Sequence, residues 1–174
     1  KALSAPGVSK NAQAKAMLRL KDLKESGTLK CFIPIEFEKQ AYNFCAVATT
    51  SHILKSSGVK TTQFEIAHRL TPSIWGKGSG WDRMQTVAAE YGRKLEIKTF
   101  PVREEGFEEG CKLLFGELDA GRPVVIDTLT EPGQRSAHTV LLTGCSTNGQ
   151  EFIIRDSAQP FPGIRIVKRD EFKR

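Results

Sequence analysis

No apolar run in this sequence approaches the roughly 18 residues that a membrane-crossing helix needs, so it encodes no helical span. There is no C-x-x-C pair and no H-E-x-x-H, so the usual zinc-ligand spacings are missing. A glycine-rich stretch, Gly76–Gly80 between Trp75 and Trp81, lacks the order G-x-x-x-x-G-K-[ST] and is therefore no P-loop. It reads as a packed surface loop. Cysteine is scarce: four in 174 residues is too few for a disulfide-dense scaffold, so the core must hold itself together. Internal repeats and low-complexity tracts are also missing. What remains, at 39% hydrophobic, is a chain long enough for one domain with a real core, or for a domain and an arm.

The net charge of +6 suggests a nucleic-acid binder until it is divided along the chain. Residues 1–30 carry seven Lys/Arg against two acids, residues 31–154 thirteen against fifteen, and residues 155–174 six against three. The basic balance belongs to the ends, which demotes a basic binding face as the main function. No nucleic-acid partner is expected. The basic arm is free to contact a partner or an anionic surface. The first residue is not Met, and with the basic start this leans towards an exported protein rather than a cytoplasmic one.

Residues 1–10 read as a linker, and Asn11 to about Ser26 as a moderately amphipathic helix ended by Gly27, either docked or solvated. We divide the chain into this arm, residues 1–30, and a domain over 31–174. Residues 31–37 read as extended, interrupted by Pro34. A helix is expected from about Phe44 to Ser57, with Asn43 as N-cap and Gly58 just beyond its end. Further helices follow at about Thr62–Leu70, capped by Thr61 or Thr62, then Asp82–Tyr91 and Glu108–Ala120. Leu95–Phe100, Pro123–Leu129, His138–Gly144, Phe152–Asp156 and Ile164–Val167 read as strands. Helices first and strands later predict an α+β fold with N-terminal helices packed on a C-terminal antiparallel sheet.

Cys45 falls in the first turn of its helix, where unpaired N–H groups and the positive helix end favour a thiolate, the reactive form of cysteine. A buried apolar role is the alternative for that residue. A thiolate nucleophile needs a base, and there are three histidines. His52 lies about 10 Å along the same helix, too far for a hydrogen bond. His68 sits mid-helix and suits a surface or packing role, whereas His138 opens an apolar strand and can face a cleft. Asp156 ends the following strand and could orient the imidazole. A tight two-residue turn at Asn148-Gly149 would set Asp156 against Leu141, on the wrong face. An odd-length loop, such as Ser146–Asn148 with Gly149 in a bulge, would set it opposite His138, and that loop is the expectation. Asp127 is a reserve orienter, and a Ser136–His138 pair is a weaker nucleophile arrangement. Gln40, five residues before Cys45, can reach over the helix start and form an oxyanion hole with the Cys45 N–H.

Gln40-Ala-Tyr-Asn-Phe-Cys45-Ala-Val-Ala-Thr-Thr, Gly121-Arg-Pro-Val-Val-Ile, His138-Thr-Val-Leu-Leu-Thr-Gly144 and Phe152-Ile-Ile-Arg-Asp156 resemble the papain-like cysteine peptidase superfamily. Within it they resemble the branch of bacteriocin-processing, double-glycine leader peptidase-like domains, a bacterial group. The resemblance runs from about residue 31 to the end. It implies a papain-like fold, a peptide or protein substrate, Cys45 as nucleophile, His138 as base and acid, Asp156 as orienter and Gln40 as oxyanion residue. It implies no metal or organic cofactor. The chain departs from the branch with Ala46-Val47 where Gly-Pro is common after the cysteine, and with Ser157 where Pro is common after the acid. Acyl transfer of the transglutaminase or phytochelatin-synthase kind, or an inactive binding module, are the alternative functions on this apparatus.

Overall fold

The computed structural model describes residues 10–42, 44–70, 80–98, 104–129, 137–160 and 162–173. Its elements run α1 (Lys10–Glu25), β1 (Leu29–Phe32), α2 (Cys45–Ser56), α3 (Gln63–Leu70), α4 (Trp81–Glu90), α5 (Glu104–Asp119), β2 (Val124–Leu129), β3 (Ala137–Ser146), β4 (Glu151–Arg155) and β5 (Ile164–Lys168). This is the expected α+β order, with the helices leading and the sheet gathered mainly in the second half.

Local chemistry accounts for most of the boundaries. After α2, the Gly58 N–H bonds Lys55 O and the Val59 N–H bonds Leu54 O, a closure that needs the positive φ of 83° at Gly58. At α3, Glu65 Oε2 accepts the Thr62 N–H at 2.8 Å while the Glu65 N–H reaches Thr62 Oγ1 at 3.3 Å. That reciprocal box makes Thr62 the cap. Helix α5 begins four residues earlier than its sequence suggests, running through Gly106, which is buried in its first turns. Leu95–Phe100 is a correction: residues 95–98 form no strand although apolar and polar residues alternate there, and the rest lies outside the described residues. The Leu95 carbonyl instead accepts Gln85 Nε2 of α4 at 2.8 Å. The glycine-rich loop also lies outside the described residues up to Gly80, which holds the N-cap position of α4.

All pairings in the five-stranded sheet are antiparallel, and β3 is its spine. β2 pairs along Ala137–Leu142 of β3 and β1 along Gly144–Ser146, end to end on one edge, while β4 then β5 extend the other. Alternation along β4 sends Phe152 and Ile154 into a cluster with Leu118 of α5, and Ile153 into one with Leu20 of α1. A third cluster joins Val47 and Leu54 of α2 to Ile66, Leu70, Met84 and Val87. Helix α1 is docked: Leu20 and Leu23 are buried, Arg19 grips the Glu151 carboxylate with two hydrogen bonds, and Gln13 Oε1 accepts the Ile164 N–H. Helix α2 crosses the spine, where Thr49 Oγ1 donates to Thr139 O at 3.0 Å. That contact sets the start of α2 beside the start of β3.

Candidate active site

Helix α2 begins at Cys45 itself, with Phe44 in the cap position and no side chain capping it. The expectation of Asn43 as cap is therefore corrected; Asn43 lies outside the described residues. Phenylalanine cannot accept a hydrogen bond from the first turn, so the helix N–H groups are left for another acceptor. The Cys45 sulfur stands there, and His138 together with the Thr139 and Ala46 N–H groups favours its thiolate. Burial pushes the thiol up, but His138 and the two N–H groups outweigh it and hold Cys45 below the ordinary thiol range.

His138 Nε2 lies 2.8 Å from Asp156 Oδ1. With that nitrogen engaged, Nδ1 is the one left for the Cys45 sulfur. Burial works against charge on the imidazole, but the bonds to Asp156 and Cys45 prevail and raise His138 to about 9. Asp156 has no exposed surface, and burial pushes its carboxyl up. His138, the Ala158 N–H and Arg165 more than reverse this and hold it below the usual carboxylate range. The three groups stand in one series, each favouring the charged form of its neighbour.

The register that permits this contact differs from expectation. The β3–β4 loop is Thr147–Gln150, an even-length connection, with Cys145 opposite Phe152. Continued without interruption, that register would set Asp156 against Leu141, facing away from His138. Thr143 changes the outcome: it is an extra residue in β3 between the pairs Leu142–Ile154 and Gly144–Ile153. Beyond it the register sets Asp156 against Val140, two residues from His138 and on its side of the ladder, a diagonal that an imidazole spans. The parity correction sits in the strand and not in the turn.

Gln40 belongs to the irregular stretch between β1 and α2. Its backbone N–H donates to Ser157 O at 2.9 Å, and its side-chain Oε1 accepts the Ser157 hydroxyl at 2.8 Å. With Oε1 engaged, the amide nitrogen is the group left to donate elsewhere. Glu38 and Gln63, which drew no notice in the sequence, hold this stretch in position. Glu38 accepts the Gln63 N–H, Lys55 Nζ and Ser51 Oγ at 3.0–3.1 Å. Gln63 in turn accepts the Ala41 N–H at 2.8 Å and donates to Lys39 O at 2.7 Å. His52 is fully buried, its Nε2 accepting the Glu38 N–H at 3.0 Å, and burial pushes it down to about 4. It supports the stretch as a neutral acceptor. Neither Glu38 nor Gln63 has a sequence signal, since each acts across helices through the fold.

Among the remaining candidates, His68 is exposed on α3. Asp127 accepts the Thr139 hydroxyl at 2.7 Å, while the bond to His138 comes from Asp156. Ser136 lies outside the described residues. The fold thus brings Cys45, His138 and Asp156 into one bonded series, and ties Gln40 to the residue that follows Asp156.

Residues 32–174 match the Peptidase_C39 like family. No curated protein matches the chain. Among solved structures, the chain is similar to a double glycine motif protease from an AMS/PCAT transporter, crystallised in complex with the leader peptide. The two share 19% identity over 82% of this chain and 86% of the other, with a TM-score of 0.54. At that identity the likeness establishes the fold, which is α+β and cysteine peptidase-like.

Proposed function

The chain belongs to the Peptidase_C39 like family, and from that premise we propose that it is an active cysteine peptidase in which Cys45 is the nucleophile, His138 the base and acid, Asp156 the orienter and Gln40 an oxyanion donor. One observation carries the proposal: the Cys45 thiol, at the uncapped start of α2, is favoured as a thiolate by an imidazole that is itself bonded to a buried carboxylate. A structural cysteine needs none of these three features.

The chemistry follows from the groups. The Cys45 thiolate attacks the amide carbonyl carbon, and negative charge gathers on its oxygen. The Cys45 N–H and the Gln40 amide nitrogen stabilise that oxyanion. Protonated His138 gives its Nδ1 proton to the leaving amine, and the acyl group stays on sulfur. A water then attacks the thioester while His138 takes the water's proton, releasing the acid and restoring the thiolate. Asp156 keeps the ring oriented and favours its protonated form. Peptides are the substrate class, a reading supported by the leader peptide bound to the similar protease. Helix α1, outside the family match, braces the sheet through Leu20.

The test is peptide-library digestion with mass analysis, using Cys45→Ala as control, together with iodoacetamide labelling at mildly acidic pH. Hydrolysis products that vanish in the variant, with selective labelling of Cys45 over the other three cysteines, are expected. Products joined to an added amine or thiol in place of water would reassign the chain as an acyl transferase. Equal labelling of all four cysteines and no products would overturn the enzyme reading.

A further inference from the structure

Two cysteines outside the catalytic series face each other. β1 and β3 pair Cys31 directly with Cys145, and their sulfurs lie 3.4 Å apart. Directly opposed residues in an antiparallel pair have Cα atoms about 4.5–5.5 Å apart, inside the range of about 4.4–6.8 Å that a disulfide spans. Closing the sulfurs to about 2.05 Å therefore asks for side-chain rotation and not for backbone movement. The surroundings are apolar: both belong to the cluster built around Leu118, Val140, Leu142 and Phe152. Cys145 is fully buried and Cys31 half-buried, so an exchange reagent reaches Cys31 first. Cys111, by contrast, is buried on α5, and Cys45 is engaged with His138.

We propose that Cys31 and Cys145 are a disulfide-forming site that reacts with small-molecule or protein disulfides, and that the closed bond locks the edge strand β1 to the sheet's spine. The Cys31 thiol loses its proton, and its sulfur attacks one sulfur of the oxidant, breaking that S–S bond and releasing one thiolate. The Cys145 sulfur, having lost its proton, then attacks the Cys31 sulfur and expels the second thiolate. The two protons end on the two released thiols; the cysteines are oxidised by two electrons and the reagent disulfide is reduced by two. Burial and the adjacent Cys31 sulfur push the Cys145 thiol up to about 12, which makes it the second to react.

The consequence is mechanical. β1 is held to β3 through only three registered pairs, yet the chain leaving it carries Gln40 and then Cys45. A bond from residue 31 to residue 145 closes a loop containing Gln40, Cys45 and His138. Constraining so long a loop in the unfolded chain stabilises the native fold, and we expect a rise in Tm on the order of 10 °C.

The experiment incubates the native protein with oxidised and reduced glutathione, blocks the remaining thiols, and maps peptides without reduction. Thermal unfolding is then followed with and without dithiothreitol. The expected result is a peptide joining Cys31 to Cys145, lighter by two hydrogens. A reductant-sensitive rise in Tm should accompany it and be lost in Cys31→Ser. Glutathione remaining on Cys31, linkage of either residue to Cys45 or Cys111, or a pair that stays reduced would each overturn the proposal. So would an unchanged Tm in the crosslinked protein. The peptide map uses the unmodified chain, so it decides the matter even if the variant folds poorly, and no outcome depends on peptidase activity.

Discussion

Asp156→Asn probes the series of Cys45, His138 and Asp156 at its most buried member. The carboxylate accepts four donors: His138 Nε2 at 2.8 Å and the Ala158 N–H at 3.0 Å on Oδ1, and Gln159 Nε2 at 3.3 Å and Arg165 at 3.2 Å on Oδ2. A carboxamide of the same shape has one acceptor oxygen, so its NH2 must face two donors. Facing Gln159 and Arg165 is the milder conflict, because Arg165 is 37% exposed and can turn to water. The unsatisfied contacts should cost about 1–3 kcal/mol of stability. His138 keeps a hydrogen bond but loses a charged partner, a difference of about 1–2 kcal/mol or roughly one pH unit. Its titration should therefore fall from about 9 by that amount.

The signs of the pH effects follow from the two directions of shift. His138 is raised from 6.5 to about 9, so its stabilising contribution is complete below 6.5 and lost as pH rises through about 9. Asp156 is lowered from 3.8, so its contribution is present above 3.8 and lost as pH falls through its depressed value. The Asn variant lacks the acid-side loss, and its alkaline loss, which also starts near 6.5, is smaller and complete at lower pH. The direct assay is an NMR titration of the three histidine rings, in which His52, pushed to about 4, stands well apart from His138. Urea unfolding across pH supplies the stability profile. The reasoning is refuted if His138 in the parent protein titrates as an ordinary histidine, or if its titration is unmoved in Asp156→Asn.

Ser157→Ala removes the hydroxyl that holds Gln40 Oε1 while leaving the Gln40 N–H to Ser157 O bond. It should lower kcat by roughly fivefold, about 1 kcal/mol, with KM and the Cys45 alkylation rate unchanged and Ser157→Thr restoring activity; a change in KM alone would contradict this. Gly144→Ala should cost about 1–3 kcal/mol in urea unfolding. A Cβ there meets the Cys31 carbonyl oxygen at 2.5 Å and Ile153 Cδ1 at 2.9 Å, so the β1 backbone must shift. Unchanged stability would show that β1 does not press on β3 as described.

Local rules carried much of this protein. Helix α2 and its ending at Gly58, the capping box that opens α3, and the run of strands after Gly121 follow from chain-neighbour chemistry, which sequence records directly. Cys45 and His138 were also legible, because a helix start and a strand start are local features with chemical consequences. Packing decided what remained. Alternation at residues 95–98 suits a strand, but a strand needs a partner edge, and Leu95 found the Gln85 side chain. The narrow stripe of α1 left docking open until Leu20 met Ile153 and Ile164 of the sheet. Above all, the pairing of His138 with Asp156 depends on Thr143, an extra residue mid-strand that restores the parity the loop alone would have broken. A bulge has no fixed residue signature when the neighbouring strand sets it. The candidate groups were therefore written in the order of the residues, while the meeting of His138 with Asp156 was settled by strand register, a property shared between segments and held by neither alone.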